Sequence, residues 1–280
     1  QGTADKFWFL DRNGTTSYYQ APGNIEDTSA WYHVVYAIDT PNSTSNSSPP
    51  ASTDRVRIYI NGIQQSLSMY SGGTHQLGVN HDTQINHTSY STVYISKNPW
   101  GSSGYFYGYM ADVHFVDGSA LFPTDFAHSH PSTGRWSPKR YQGTYGTNGF
   151  HLEFKNNGTH TGVGGIGEDT SGNGNHWAVT GLAAHDIVPD TPSNNFATLN
   201  SLAPDTANMF NMDDGNLRLY TNTPFNSDGR DISTIPFLHS VGKIYFEIAK
   251  MTDAIAIGFS QGANYFGIYG NTSGNFEIHA

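Results

Sequence analysis

Asp169-Thr-Ser-Gly-Asn-Gly-Asn175 sets side-chain oxygens at alternating positions between glycines that permit tight backbone bends. Runs of this kind supply oxygen ligands to calcium, so Asp169, Asn173 and Asn175 are candidate ligands. The same residues suit an ordinary turn, because Asp and Asn side chains accept hydrogen bonds from backbone amides two residues on. His128-Ser-His130 offers two imidazoles at alternate positions, a spacing that could hold an ion on the axis of a trimer or serve as exposed turn chemistry. A glycan would need flat apolar faces with polar edges, which Tyr and Trp provide. Trp100, Tyr105 and Tyr107 flank a Gly/Ser loop, and Tyr18-Tyr19 lie on an early strand, so these five are the carbohydrate-binding candidates; filling a core or a subunit interface is their alternative role. A retaining glycosidase would need two carboxylates about 5 Å apart. Glu153 and Glu247 each stand alone in their strands, and the adjacent side chains of Glu168-Asp169 point apart, so no catalytic set is expected. No cofactor is implied beyond the calcium alternative.

Composition narrows the function classes. The chain has 280 residues and a formal net charge of -10, with 13% charged residues. Binding a nucleic-acid backbone requires clustered Lys and Arg, and only short pairs such as Lys139-Arg140 occur, so nucleic acid is not an expected partner. No apolar run reaches the ~20 residues of a membrane helix, and membrane insertion is not expected. With no cysteine, a disulfide framework, a thiolate zinc site and a cysteine nucleophile are excluded. The Asn-x-Ser/Thr sequons, Asn42-Ser-Thr among them, are what chance gives in a chain this rich in Asn, Ser and Thr.

The elements that must hold these residues are short strands. Sixteen Phe, 17 Tyr and 5 Trp among 31 Gly and 13 Pro describe strands joined by tight turns. Strand patterns run over 7–10, 16–21, 31–39, 55–60, 93–96, 105–116, 143–154 and 177–182, with one helical turn at 123–127. Val56, Ile58 and Ile60 share a face, opposite Arg55, Arg57 and Tyr59, and Asn61-Gly62 then signals a hairpin. Likewise Ala111, Val113 and Phe115 alternate with Asp112 and His114, which are expected to face solvent. Residues 40–53 cannot bury apolar area and read as a long exposed loop. Prolines frame an irregular stretch at 188–205, after which a second strand series begins: 216–220, then 244–248 paired with 255–259, then 265–269 and 276–279.

Trp31-Tyr-His-Val-Val-Tyr-Ala-Ile-Asp39, Val56-Arg-Ile-Tyr-Ile-Asn-Gly62 and Gly108-Tyr-Met-Ala-Asp-Val-His-Phe-Val116 together resemble the strand series of laminin-G-like, concanavalin-A-like domains. Gly242-Lys-Ile-Tyr-Phe-Glu-Ile248 with Ala256-Ile-Gly-Phe259 looks like the first half of a SPRY domain. The text linking them, Glu168 to Trp177 and Asp190 to Asn200, resembles structural and tail-fibre-like proteins of marine bacteriophages. The resemblance implies an all-β chain: an antiparallel β-sandwich of the concanavalin-A-like jelly-roll type over 1–187, a linker over 188–205, and an incomplete second β-sandwich over 206–280. It implies a non-enzymatic virion structural or receptor-binding protein, as tail fibre, appendage or decoration subunit, on the external surface of the particle. Expected partners are other virion proteins or copies of the chain in a homo-oligomer, and a host-surface glycan. A secreted bacterial lectin or adhesin is the alternative function, and a glycoside hydrolase or lyase a third.

Overall fold

The computed structural model describes residues 6–13, 16–23, 25, 30–40, 51–69, 76–85, 93–97, 104–106, 108–183, 186–188 and 190–194, together with the backbone of strands at 211–213, 218–220, 255–261, 264–270 and 276–279. The described chain is all-β, built from short antiparallel pairs. By their contacts the residues divide into two compact units, 1–235 and 236–280.

In the first unit, β1 (Trp8–Asp11) pairs with β2 (Ser17–Gln20), and β2 pairs with β6 (Ser68–Met69). The alternation read in the sequence is visible here: Phe9 and Asp11 are buried between half-buried Trp8 and Leu10, and Ser17 and Tyr19 between Tyr18 and Gln20. A second sheet joins β3 (Val34–Ile38), β4 (Val56–Ile60) and β5 (Ile63–Gln64), with Asn61 and Gly62 at positive φ in the turn that the Asn-Gly pair marks. The two sheets share one core. Phe9 and Tyr19 pack with Val56, Ile58 and Leu77, and Phe7, Ile38, Leu67 and Met69 close its margin.

Several polar groups at this core find partners within it, whereas Arg55 Nε, Arg57 Nε and Tyr59 Oη are buried without one among the described residues. The Tyr19 hydroxyl accepts the Leu77 amide at 2.8 Å, and Arg55 donates to the Leu77 carbonyl at 2.7 Å. Buried Asp11 accepts the Gln84 amide at 2.7 Å and meets His81 Nε2 at 2.6 Å. These bonds fasten the 77–84 segment along the sheets, as buried polar groups require. The face of β4 opposite Val56 and Ile58 is also covered, because Tyr59 is buried with its ring edge-on to Phe122.

Further along, α1 (Pro123–Phe126) is the single α-helical turn among the described residues, started by a proline at its first position and by Asp125 accepting the Phe122 amide at 2.8 Å. It leads into β8 (Ala127–Ser129), which pairs with β9 (Trp136–Pro138). The expected strand over 105–116 is shorter: β7 is Val113–Phe115, paired with β10 (Phe150–Leu152). The expected strand over 93–96 is not formed, and an isolated bridge joins Lys97, just past it, to Tyr105; the segment 177–182 is not a strand either, because Trp177 instead donates its amide to Gly167 in an irregular glycine-rich turn.

Beyond residue 205, β11 (Asn211–Asp213) pairs with β12 (Arg218–Tyr220). In the second unit β13 (Ile255–Gln261), β14 (Asn264–Gly270) and β15 (Phe276–His279) form a three-stranded antiparallel sheet. The strand expected at 244–248 and the loop at 41–50 lie outside the described residues. Among the described residues, no helix is long and apolar enough to cross a membrane.

Candidate functional site

An open groove runs across the first unit, with a volume of about 3090 Å³. Its walls include β3, Tyr105, Phe106, residues 108–121 and the 138–147 loop. Small-molecule pockets span about 300–1,000 Å³, so this groove has room for an extended ligand.

The wall contains a block of stacked rings whose geometry follows from strand pairing. His114 and His151 are register partners in β7 and β10. Both backbone groups of His151 are committed elsewhere, its N–H to Asp169 Oδ1 at 2.9 Å and its C=O to the Thr170 amide at 2.8 Å. The pair is therefore of the non-hydrogen-bonded kind, in which facing side chains approach most closely. The imidazoles lie 4.1 Å apart and 7° from parallel. Tyr145 stacks on both rings, Phe126 lies 5.1 Å from His114, and Tyr141 is edge-on to His114 and Tyr145.

Each imidazole has a hydroxyl on one nitrogen: His114 Nδ1 meets Tyr145 Oη at 2.8 Å, and His151 Nδ1 meets Thr170 Oγ1 at 2.8 Å. His151 Nε2 faces Asp112 Oδ1 at 3.3 Å. Asp112 has a φ of 50°, in the left-handed region that Asp tolerates better than most residues, and so turns out of the strand immediately before β7. Burial, then repulsion from His151, lowers the His114 pKa to about 4. Tyr145 is pushed up to about 12, chiefly by burial. The hydrogen bond from His151 holds the Asp112 carboxyl below its usual range. The expectation that His114 faces solvent is thus corrected: it is half-buried among rings, while Asp112 is exposed.

Asp169 fixes this arrangement from behind. It is 5% exposed, and its two oxygens accept four hydrogen bonds: Oδ1 from the amides of His151 and Ser171, both at 2.9 Å, and Oδ2 from Ser171 Oγ at 2.9 Å and the Asn175 amide at 2.8 Å. Burial works against the charged form, but these bonds together outweigh it and the carboxyl titrates below its usual range. Asn173 donates its side-chain amide to the carbonyls of Gly146 and Gly149, and Asn175 to those of Thr147 and Gly149. A calcium site needs these oxygens turned inward with free lone pairs. Here the Asp169 oxygens are taken by donors and the Asn amides reach outward to carbonyls, so the 169–175 segment is a hydrogen-bonded turn that does not fit the ion.

Of the other candidates from the sequence, Tyr19 is 3% exposed in the core and its ring is not available to a sugar. Tyr18 is half-buried, with Trp8 4.7 Å away on the neighbouring strand. Tyr105 is exposed and lines the groove, with Lys97 Nζ 5.9 Å from its ring centre. Trp100 and Tyr107 lie outside the described residues. His128 is exposed on β8 and His130 is exposed just beyond its end, with His130 Nδ1 engaged by Ser132 Oγ at 3.0 Å. The ring block was missed in the sequence because its members, His114, Tyr141, Tyr145 and His151, come together only through the β7–β10 pairing. The available signal was one His at an alternate position in each of the two segments.

No family model, curated protein or solved structure matches this chain.

Proposed function

We propose that the chain is a non-enzymatic recognition module on the outside of a virus particle, built on β-sandwich domains, whose first unit holds an extended host-surface glycan in its groove. The observation that carries this reading is the groove itself, large enough for several sugar rings and walled by a block of aromatic and imidazole faces. Sugars present flat patches of C–H with hydroxyls at the rim, and Tyr and His match both parts in one side chain. Exposed Tyr36, Tyr105 and Tyr109 add rings along the same groove. Two of the five carboxylates that line it are engaged with cations or imidazole, Asp112 with His151 and Glu153 with Lys155. Acid-base hydrolysis would instead use one carboxyl held protonated beside a second that is free. The likeness of the Glu168–Trp177 and Asp190–Asn200 segments to phage structural proteins supports placing the module on a virion, with copies of itself as neighbours.

Glycan-array binding of the purified chain, followed by titration with the best polysaccharide, tests the reading. Binding without release of reducing ends, and lost in Tyr105→Ala and Tyr145→Ala, is the expected result. Cleavage of a glycan, abolished by a single carboxylate substitution, would overturn it, as would failure to bind any glycan or host surface.

A further inference from the structure

Asp112, His114 and His151 each bring one ligand atom to a common point, all within 4.8 Å of one another. We propose that these three residues form a binding site for a divalent transition ion of the zinc type on the wall of the groove. The donor set is two imidazoles and one carboxylate, which suits zinc and its neighbours over calcium or magnesium. Around a tetrahedral zinc, with bonds near 2.0–2.1 Å, ligand atoms stand about 3.4 Å apart. His151 Nε2 and Asp112 Oδ1 are already at 3.3 Å, whereas the two imidazoles lie face to face, so ion binding asks one ring to turn about its side-chain bonds until both nitrogens converge, with no movement of strands.

The surroundings match what a metal-bound imidazole requires. A ligating His is usually held by a hydrogen bond at its other nitrogen, which fixes the ring and the tautomer. His151 has Thr170 Oγ1 at Nδ1, leaving Nε2 toward Asp112. His114 has Tyr145 Oη at Nδ1, leaving Nε2 as its ligand atom. With an ion on both Nε2 atoms each Nδ1–H donates to its hydroxyl, and His151 gives up the Nε2 proton that it otherwise donates to Asp112. The cross-strand pairing keeps the two rings adjacent, and the Asp169 bond to the His151 amide holds β10 in place. Three protein ligands leave a fourth position for water or another oxygen, and all three residues line the open groove.

The site stands whether or not the groove holds a glycan. The test is calorimetric titration of the full chain, stripped with chelator, using zinc chloride, with cobalt chloride in parallel to read ligand-field absorption. One zinc per chain is expected, with an intense cobalt band of tetrahedral type. Asp112→Asn and His151→Gln are expected to weaken binding at least tenfold with unchanged circular dichroism. Tyr145→Phe and Thr170→Val, which remove only the supporting hydroxyls, should weaken it about 10- to 100-fold. His128→Ala/His130→Ala should leave it unchanged. Absence of stoichiometric binding would overturn the proposal, and so would binding that survives both Asp112→Asn and His151→Gln, or that is lost with the His128/His130 pair.

Discussion

Replacing Asp169 by Asn changes one atom and tests how the ring block is held. The carboxylate is almost fully buried and accepts four hydrogen bonds between 2.8 and 2.9 Å. The amide keeps one acceptor oxygen and turns an NH₂ group toward two donors, so two bonds to a charged acceptor are lost and two donors face each other. Bonds to charged groups contribute about 1.5–3 kcal/mol each, giving a gross loss of about 3–6 kcal/mol. Ser171 is half-buried and can partly turn to water, so the expected net loss is about 3 kcal/mol. Urea unfolding at pH 7, followed by tryptophan fluorescence, should show the midpoint falling with little change in slope. Hydrogen exchange should speed first at the amides of His151, Ser171 and Asn175. A loss below about 1 kcal/mol would refute the claim that this carboxylate organises the turn. So would a chelator-sensitive stability of the unaltered protein that disappears in Asp169→Asn and is restored by calcium, since the segment would then be an ion site.

Other expectations follow from the same contacts. His114 titrates near 4 when folded against 6.5 when unfolded, so its contribution is fully present above pH 6.5 and is lost as pH falls from 6.5 toward 4. After allowance for screening of a half-buried ring this amounts to about 1–2 kcal/mol, and His114→Gln should flatten that part of the stability profile. Asp169 adds a second acid limb: its folded value is depressed, so its contribution persists above 3.8 and is lost below it, and Asp169→Asn should remove that limb. Ile58→Ala, at a fully buried position, should cost about 2–5 kcal/mol in denaturant unfolding, whereas Ile63→Ala, 68% exposed, should change stability by less than about 0.5 kcal/mol. Gly62→Ala places a methyl 2.9 Å from the Trp136 ring at a φ of +82°, and should cost about 1–2 kcal/mol and alter Trp136 emission.

Local features were legible from local sequence. The two-residue period in Phe9 to Asp11, in Ser17 to Gln20 and at Val56 and Ile58 is the physical signature of a strand with one buried side, and Asn61-Gly62 marks its turn because both residues take positive φ. The helical turn at Pro123 was legible from its proline, which suits the first position of a helix. What composition and period cannot carry is which strands meet. Nothing local in Ala111 to Val116 says that His114 will lie against His151, so a residue that alternation assigns to solvent is half-buried in a ring stack. The turn at Asp169 shows a related limit: a run of Asp, Ser and Asn has the same spelling whether its oxygens face an ion or backbone amides. Only the direction of His151, set by β10, decides between them.

The contact between Trp136 and the tip of the β4–β5 hairpin links pieces far apart in the chain. Trp136 covers Gly62 and donates its indole N–H to His33 Nδ1 at 2.9 Å, across 103 residues. During synthesis the β4–β5 hairpin therefore emerges long before its lid exists, and its tip stays uncapped until β9 has been made. Joining such distant partners costs more chain entropy than closing a neighbouring turn, which places this closure late in folding and makes the interval before it the period when the early strands are most open to wrong pairing.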